Sequence, residues 1–105
     1  MTSSDREAVW TAAERLESLA GRTTSGDWRI GGLLASRPEV IAHRADGSTE
    51  HVAEARAGTA GWITALSPAI AGPLVSWLRS AADADAVDPA AVGVGDALLS
   101  RLPPS

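Results

Sequence analysis

Two histidines and a glutamate lie close together in the sequence, at positions 43, 50 and 51. Imidazole nitrogens and carboxylate oxygens are common zinc ligands, so His43, Glu50 and His51 form a candidate metal or small-molecule site. The three residues flank 45–47, which has the composition of a β-hairpin turn. The hypothesis therefore depends on how the two strands of this hairpin pair.

The length of the turn decides which faces the two histidines occupy, because successive strand side chains point to opposite faces. With a two-residue turn at 46–47, His43 lies opposite Glu50 and the histidines point to opposite faces. With a three-residue turn at 45–47, His43 pairs with Thr49 instead; the histidines then share a face as diagonal neighbours, and Glu50 points away. The sequence leaves both registers open, and neither brings all three residues together. We therefore expect no metal and no cofactor.

No other pattern of reactive residues predicts catalysis. The serines and threonines do not occur in a nucleophile-elbow pattern, or at a recognisable spacing from a histidine and an acid. The glycines at 31–32 lack a following Lys-Ser/Thr and those within 93–95 fall in a helix pattern, so neither pair predicts a phosphate loop. Asp83 and Asp85 are typical of a solvated helix end. We expect no enzymatic activity.

The four tryptophans are the most distinctive residues, because the chain contains no Phe or Tyr. Trp62 and Trp77 fall on predicted apolar helix faces and are expected in the core. Trp10 falls among charged residues of the first helix, and Trp28 begins a strand. Partly exposed aromatic side chains beside arginine are enriched in interfaces. We predict that a protein partner contacts Trp10, Trp28, Arg29, His43 and His51.

Composition points to one small domain, 1–105, since the chain has 105 residues, 45% of them apolar, and a net charge of −4. Alanine supplies much of the apolar content and buries little area, so the usable core must come from Leu, Val, Ile and Trp. This thin core favours a homodimer. The nine basic residues are scattered and mostly near an acid, which argues against nucleic acid. Without a signal-peptide pattern, or an apolar stretch approaching about 20 residues, we expect no membrane partner and a cytoplasmic location.

The first half of the chain predicts a helix followed by strands. A capping box at 4–7 indicates a helix over 3–21, which Gly21 would end in a left-handed conformation. Alternating and β-branched residues then predict an antiparallel meander over 27–53. Within it, 33–35 continues the first strand after a bulge or begins a turn.

The second half of the chain predicts helices over 54–102. Pro73 cannot donate a backbone hydrogen bond, so we expect a kink or restart near 72–73. One predicted apolar face comprises Ala55, Thr59, Trp62, Ile63 and Leu66; the next comprises Ile70, Leu74, Trp77, Leu78 and Ala81. The predicted fold class is α+β: an N-terminal helix, a small antiparallel β-meander or hairpin, then two or three C-terminal helices packed on one sheet face.

Two segments resemble a known group of proteins. The segments 19–29 (LAGRTTSGDWR) and 60–68 (AGWITALSP), with a hairpin between them, resemble small uncharacterised proteins of actinobacteria and their phages. Some of these are labelled Ead-like, after phage early-region proteins. The resemblance spans roughly 16–80, although Ser25 stands where that group has a proline and Trp62 where it has a phenylalanine. It implies the order helix, hairpin, helices, and a non-enzymatic accessory or regulatory protein of a mobile element or its host.

Overall fold

The computed structural model describes residues 3–32 and 38–104 and confirms the α+β class. The elements are α1 (Ser3–Ala20), β1 (Asp27–Gly31), β2 (Glu39–His43), β3 (Thr49–Glu54), α2 (Ala57–Ala65), α3 (Ala71–Asp83) and α4 (Pro89–Leu99). Their contacts group into two compact units. The sheet unit is Thr23–Ile70, and the helical unit consists of the described residues of Met1–Arg22 and Ala71–Ser105. The predicted alternatives for 33–35 lie outside the described residues, and the single domain 1–105 stays a prediction.

In the helical unit, α1 packs against both α3 and α4. The core consists of small and medium side chains: Val9, Ala13, Val75, Leu78, Ala82, Val87 and Ala91. The helices approach closely, since a Cβ atom added at Gly95 of α4 would lie 3.3 Å from the Cα of Val9 in α1. Asp88 caps α4, because its carboxylate accepts from the Ala90 amide at 2.9 Å.

Two predicted helix boundaries are confirmed: α1 begins at Ser3, and a helix restarts near 72–73, where α3 begins at Ala71. The predicted left-handed end of α1 at Gly21 is wrong. Ser4 lies inside the first turn of α1, so it does not precede the helix as a capping residue would. Gly21 does not have a positive φ, and its amide donates to the Glu17 carbonyl at 3.1 Å, which continues the helical hydrogen bonding. α3 runs unbroken through Pro73, because this residue lies in the first helical turn, where an amide has no acceptor within the helix. The restart follows a 3-10 turn formed by Pro68–Ile70, after which α3 begins at Ala71.

The sheet unit contains a three-stranded antiparallel sheet in the order β1-β2-β3. The hairpin turn has three residues: the Arg44 carbonyl accepts from the Gly47 amide at 3.0 Å, and Gly47 adopts a φ of 86°. Next to the turn, His43 pairs with Thr49, which is the second of the two predicted registers. In the part of the hairpin farther from the turn, beyond a bulge after Val40, the pairing is shifted by one residue.

One helix packs on this sheet within the unit, because α2 contacts β1 and β2. Val40 and Ala42 of β2 and Ala60 of α2 are fully buried. Their small size brings the α2 backbone close to the sheet. The side of α2 that carries Ala60 is therefore the side that faces the sheet.

The prediction that Trp62 and Trp77 belong to the core is wrong. Trp62 is 69% exposed and Trp77 is 43% exposed. At about 100° per residue, Trp62 lies about 200° around α2 from the buried Ala60, so it points away from the sheet. The buried ridge of α3 is Ala71, Val75, Leu78 and Ala82, which leaves Trp77 at its edge.

The stretch Ala57–Asp83 meets the length and composition criteria for a membrane span, contrary to the expectation that no apolar stretch is long enough. Its best 18-residue window has a mean hydropathy of 1.2, and 22% of that window is buried. The stretch is not one continuous α-helix, since it includes the 3-10 turn at Pro68–Ile70. Length and composition are equally compatible with a helix of a soluble protein.

Candidate functional site

The outward side of α2 carries the most exposed large apolar side chain of the described residues, Trp62. Positions three and four residues apart are neighbours on a helix surface, so Trp62 is surrounded by the residues at 58, 59, 65 and 66. We call this surface the Trp62 face. Its members, all exposed, are Gly58, Thr59, Trp62, Ala65 and Leu66.

The Trp62 face is apolar and uncharged. Leu66, at the end of α2, is 49% exposed beside the indole, which is 69% exposed. A Cβ atom added at Gly58 would have no atom within 4 Å, so the surface next to the indole is open. No charged residue occurs anywhere in 57–78. The face therefore combines one protruding aromatic ring with a neutral surface of small residues around it.

Three of the predicted contact residues lie together on one face of the sheet. Arg29 of β1 pairs with Ile41 of β2, which pairs in turn with His51 of β3. His43 lies two residues along β2 from Ile41, on the same face, because strand side chains alternate. We call this surface, formed by Arg29, Ile41, His43 and His51, the outer sheet face.

The charged groups on and beside this face are paired locally. Arg29 Nε lies 2.7 Å from Asp27 Oδ2, and His51 Nδ1 lies 3.7 Å from Glu39 Oε2. The side chains of Arg29 and His51 are 61% and 57% exposed. This exposure leaves both side chains accessible to a partner, and the exposed Arg29–Asp27 ion pair contributes little stability.

The candidate metal site at His43, Glu50 and His51 does not assemble. The two histidines are diagonal neighbours, whereas Glu50 pairs with Ala42 and occupies the opposite face. Its carboxylate accepts from Arg44 Nη2 at 3.1 Å and from the Thr24 hydroxyl at 3.1 Å. Within residues 3–32 and 38–104, no three metal-ligating side chains converge.

Trp28, another predicted contact residue, is half-buried and turned toward its own loop. Its Nε1 donates to the Thr24 carbonyl at 3.0 Å. Gly26 between them has a φ of 111°, and a Cβ atom there would lie 2.8 Å from the His43 carbonyl oxygen, so only glycine fits. The indole thus helps to order this loop.

Trp10, the remaining predicted contact residue, lies at the edge of the helical unit and is 38% exposed. Its Nε1 donates to Glu14 Oε1 at 2.7 Å, and the Arg79 guanidinium lies 5.4 Å from the ring centroid. Arg79 also binds the Glu17 carboxylate through two hydrogen bonds, at 3.0 and 3.1 Å. These hydrogen bonds, and the positive charge beside them, lower the pKa of Glu17. The ring is therefore held by its own chain on one side.

A cavity of about 360 Å³ opens beside Trp10, with Arg6, Glu7 and Asp83 among its lining residues. Arg6 points its guanidinium at the end of α3, where it donates to the carbonyls of Ala82 and, at 2.8 Å, Ala84. The carbonyls at a helix C-terminus lack partners within the helix, so Arg6 satisfies them. Its role here is structural.

Trp62 is the candidate contact residue that sequence reasoning misplaced. Apolar and small residues surround α2 on every side, so periodicity does not show which side faces inward. The neutral stretch 57–78 was the available indication of an exposed apolar surface. A helix without any charged residue exposes apolar atoms wherever it is not covered.

A scan against protein-family models gives no match for this chain. Searches of curated proteins and of solved structures give no significant match either. The candidate site is therefore defined by its own geometry.

Proposed function

We propose that the chain is a small protein-interaction module that binds its partner through the Trp62 face. The observation that carries the proposal is the position of Trp62, which is 69% exposed beside the half-exposed Leu66 on a surface without charged residues. Tryptophan is among the residues that contribute most binding energy in interfaces, and contiguous exposed apolar surface marks interaction sites. Covering both side chains removes apolar area from water, which favours association.

The other parts of the proposal come from the sequence. We also propose an accessory or regulatory role in a mobile element or its host, which the resemblance over 16–80 implies. We propose that the chain has no enzymatic activity. A cytoplasmic location stays a prediction. The outer sheet face, with Arg29, His43 and His51, is a second surface for the same partner class, because the Arg29 and His51 side chains are accessible and have the acidic side chains of Asp27 and Glu39 beside them.

The test uses a photo-crosslinking amino acid at Thr59, which adjoins Trp62 on the helix surface. The labelled chain is irradiated in an extract of the source organism, and unlabelled competitors are added. We expect an adduct that wild-type chain and Trp77→Gln both suppress and that Trp62→Gln does not. Trp77 is the matched control, since it is an exposed tryptophan on another helix.

Equal suppression by Trp62→Gln and by the wild type would refute the Trp62 face as the contact surface. Circular dichroism of each variant checks that the fold is kept, which we expect because Trp62 is largely exposed. A label at Asp96, exposed on α4, shows which adducts arise from random collisions.

A further inference from the structure

We infer that the Trp62 face binds a second copy of this chain, with the two α2 helices antiparallel across a two-fold axis. The inference rests on the proposed function and names its partner. It follows from the shape of the face and from its lack of charge, and the area of the face sets the expected affinity.

The absence of charge on the Trp62 face permits a second copy to bind there, although the net charge of each copy opposes association elsewhere. Each copy has a net charge of −4, so two copies repel wherever charged surfaces meet. The Trp62 face lies within 57–78, which has no charged residue, so two such faces meet without repulsion. A strongly charged partner would find no complementary charge there. An anionic lipid surface is disfavoured as well, because interfacial helices bind it through Lys and Arg on their polar side.

The shape of the face is self-complementary. Trp62 protrudes, whereas its neighbours Gly58 and Ala65 are small, and the space beside Gly58 is open. In a two-fold contact, residue i of one copy meets residue j of the other, and j meets i in return. Each indole can therefore lie over the small residues of the other helix, so both rings are covered by the same contact.

The area predicts a weak, concentration-dependent dimer. A tryptophan buries about 150–250 Å² when fully covered, so 69% exposure leaves roughly 100–170 Å² of Trp62 available in each copy. Adding Leu66, which is 49% exposed, still leaves the total far below the roughly 1,200 Å² of a stable interface. We expect a dissociation constant of about 10–1,000 µM.

The test is sedimentation equilibrium of the purified full chain at about 5–2,000 µM, a range that spans the expected dissociation constant. The two variants are Gly58→Glu and, as a matched control, Gly93→Glu. Both glycines are exposed within helices, a Cβ atom at either meets nothing within 4 Å, and the change in charge is the same. Neither substitution clashes within the chain, so both variants are expected to fold.

We expect the wild type and Gly93→Glu to shift from 10.7 kDa toward twice that mass as concentration rises. Gly58→Glu should weaken dimerisation at least about tenfold, because it places two like charges and two side chains in the contact. A wild type that stays at 10.7 kDa throughout, or equal effects of the two variants, would overturn the inference.

Two further results separate this inference from the proposed function. If the wild type stays monomeric while the crosslink at Thr59 still depends on Trp62, the interaction module stands and the second copy is refuted. If the wild type floats with neutral phosphatidylcholine vesicles and Trp62→Gln does not, the face binds lipid, and both proposals fail.

Discussion

Gly95 and Gly93, two residues apart on α4, should respond in opposite directions to the same substitution. Replacing a helical glycine by alanine stabilises a helix by about 1 kcal/mol, because alanine loses less backbone entropy. At Gly93 the new methyl group meets nothing within 4 Å, so Gly93→Ala should raise the free energy of unfolding by about that amount.

At Gly95 the same methyl group would lie 3.3 Å from Val9 Cα, 3.4 Å from Val9 Cγ2 and 3.6 Å from Val9 N. Two of these atoms belong to the α1 backbone, which cannot move alone. Overpacking of this kind costs about 1–3 kcal/mol, so Gly95→Ala should be between neutral and about 2 kcal/mol less stable than the wild type. The two variants should then differ by about 1–3 kcal/mol.

Urea and thermal denaturation followed by far-ultraviolet circular dichroism measure this difference. A change of 1 kcal/mol shifts the melting temperature by about 4–8 °C in a domain of this size. Equal stabilisation by Gly95→Ala and Gly93→Ala would refute the close approach of α1 and α4. It would also remove the steric reason for glycine at position 95.

Three other substitutions test local features. Asp88→Ala should lower the free energy of unfolding by about 1 kcal/mol in urea denaturation, because the Ala90 amide loses its capping acceptor; an unchanged midpoint would contradict the cap. Gly47→Ala should cost about 1–2 kcal/mol in the same assay, since φ is 86° there, and no cost would contradict the three-residue turn. Arg79 lowers the folded-state pKa of Glu17 below its ordinary value of 4.5, first by hydrogen bonding and then by charge. Glu17→Gln should therefore be less stable than wild type above pH 4.5 and equal to it below the folded pKa, as thermal melts at several pH values would show; a constant difference would refute the pairing.

The strands and the hairpin turn were predictable because their determinants are local. Glycine in the left-handed region at position 47 and alternation along β2 define a turn and a strand without reference to the rest of the fold. The register was open between two values because both turn lengths suit the same residues. Because of the bulge after Val40, this hairpin contains both registers, one on each side of the bulge.

The inward face of α2 was not predictable from periodicity. For α3 the predicted face is confirmed at Leu74, Leu78 and Ala81, which lie in or against the core, and it is wrong at Trp77. Ala60 and Ala71 are buried, whereas Trp62 and Trp77 are exposed, so side-chain hydrophobicity ranks these positions in the wrong order. Burial here follows size. A small residue lets a helix lie close to its neighbour, and the whole face around it is then excluded from water.

The exposed tryptophans follow from the same packing. The largest fully buried side chains are Leu78, Val9 and Val40, and the rest of the core is mostly alanine, so the helices approach too closely to enclose an indole. Exposure alone therefore does not distinguish a binding residue from one that the core excludes. Trp10 and Trp28 are distinguished by their own chain, since each indole N–H is bonded within it. Trp62 is the most exposed of the four and lies on a neutral surface that is open at Gly58. Its exposure fits both a binding residue and a residue that the core excludes. A substitution at Gly58 therefore decides between these two explanations.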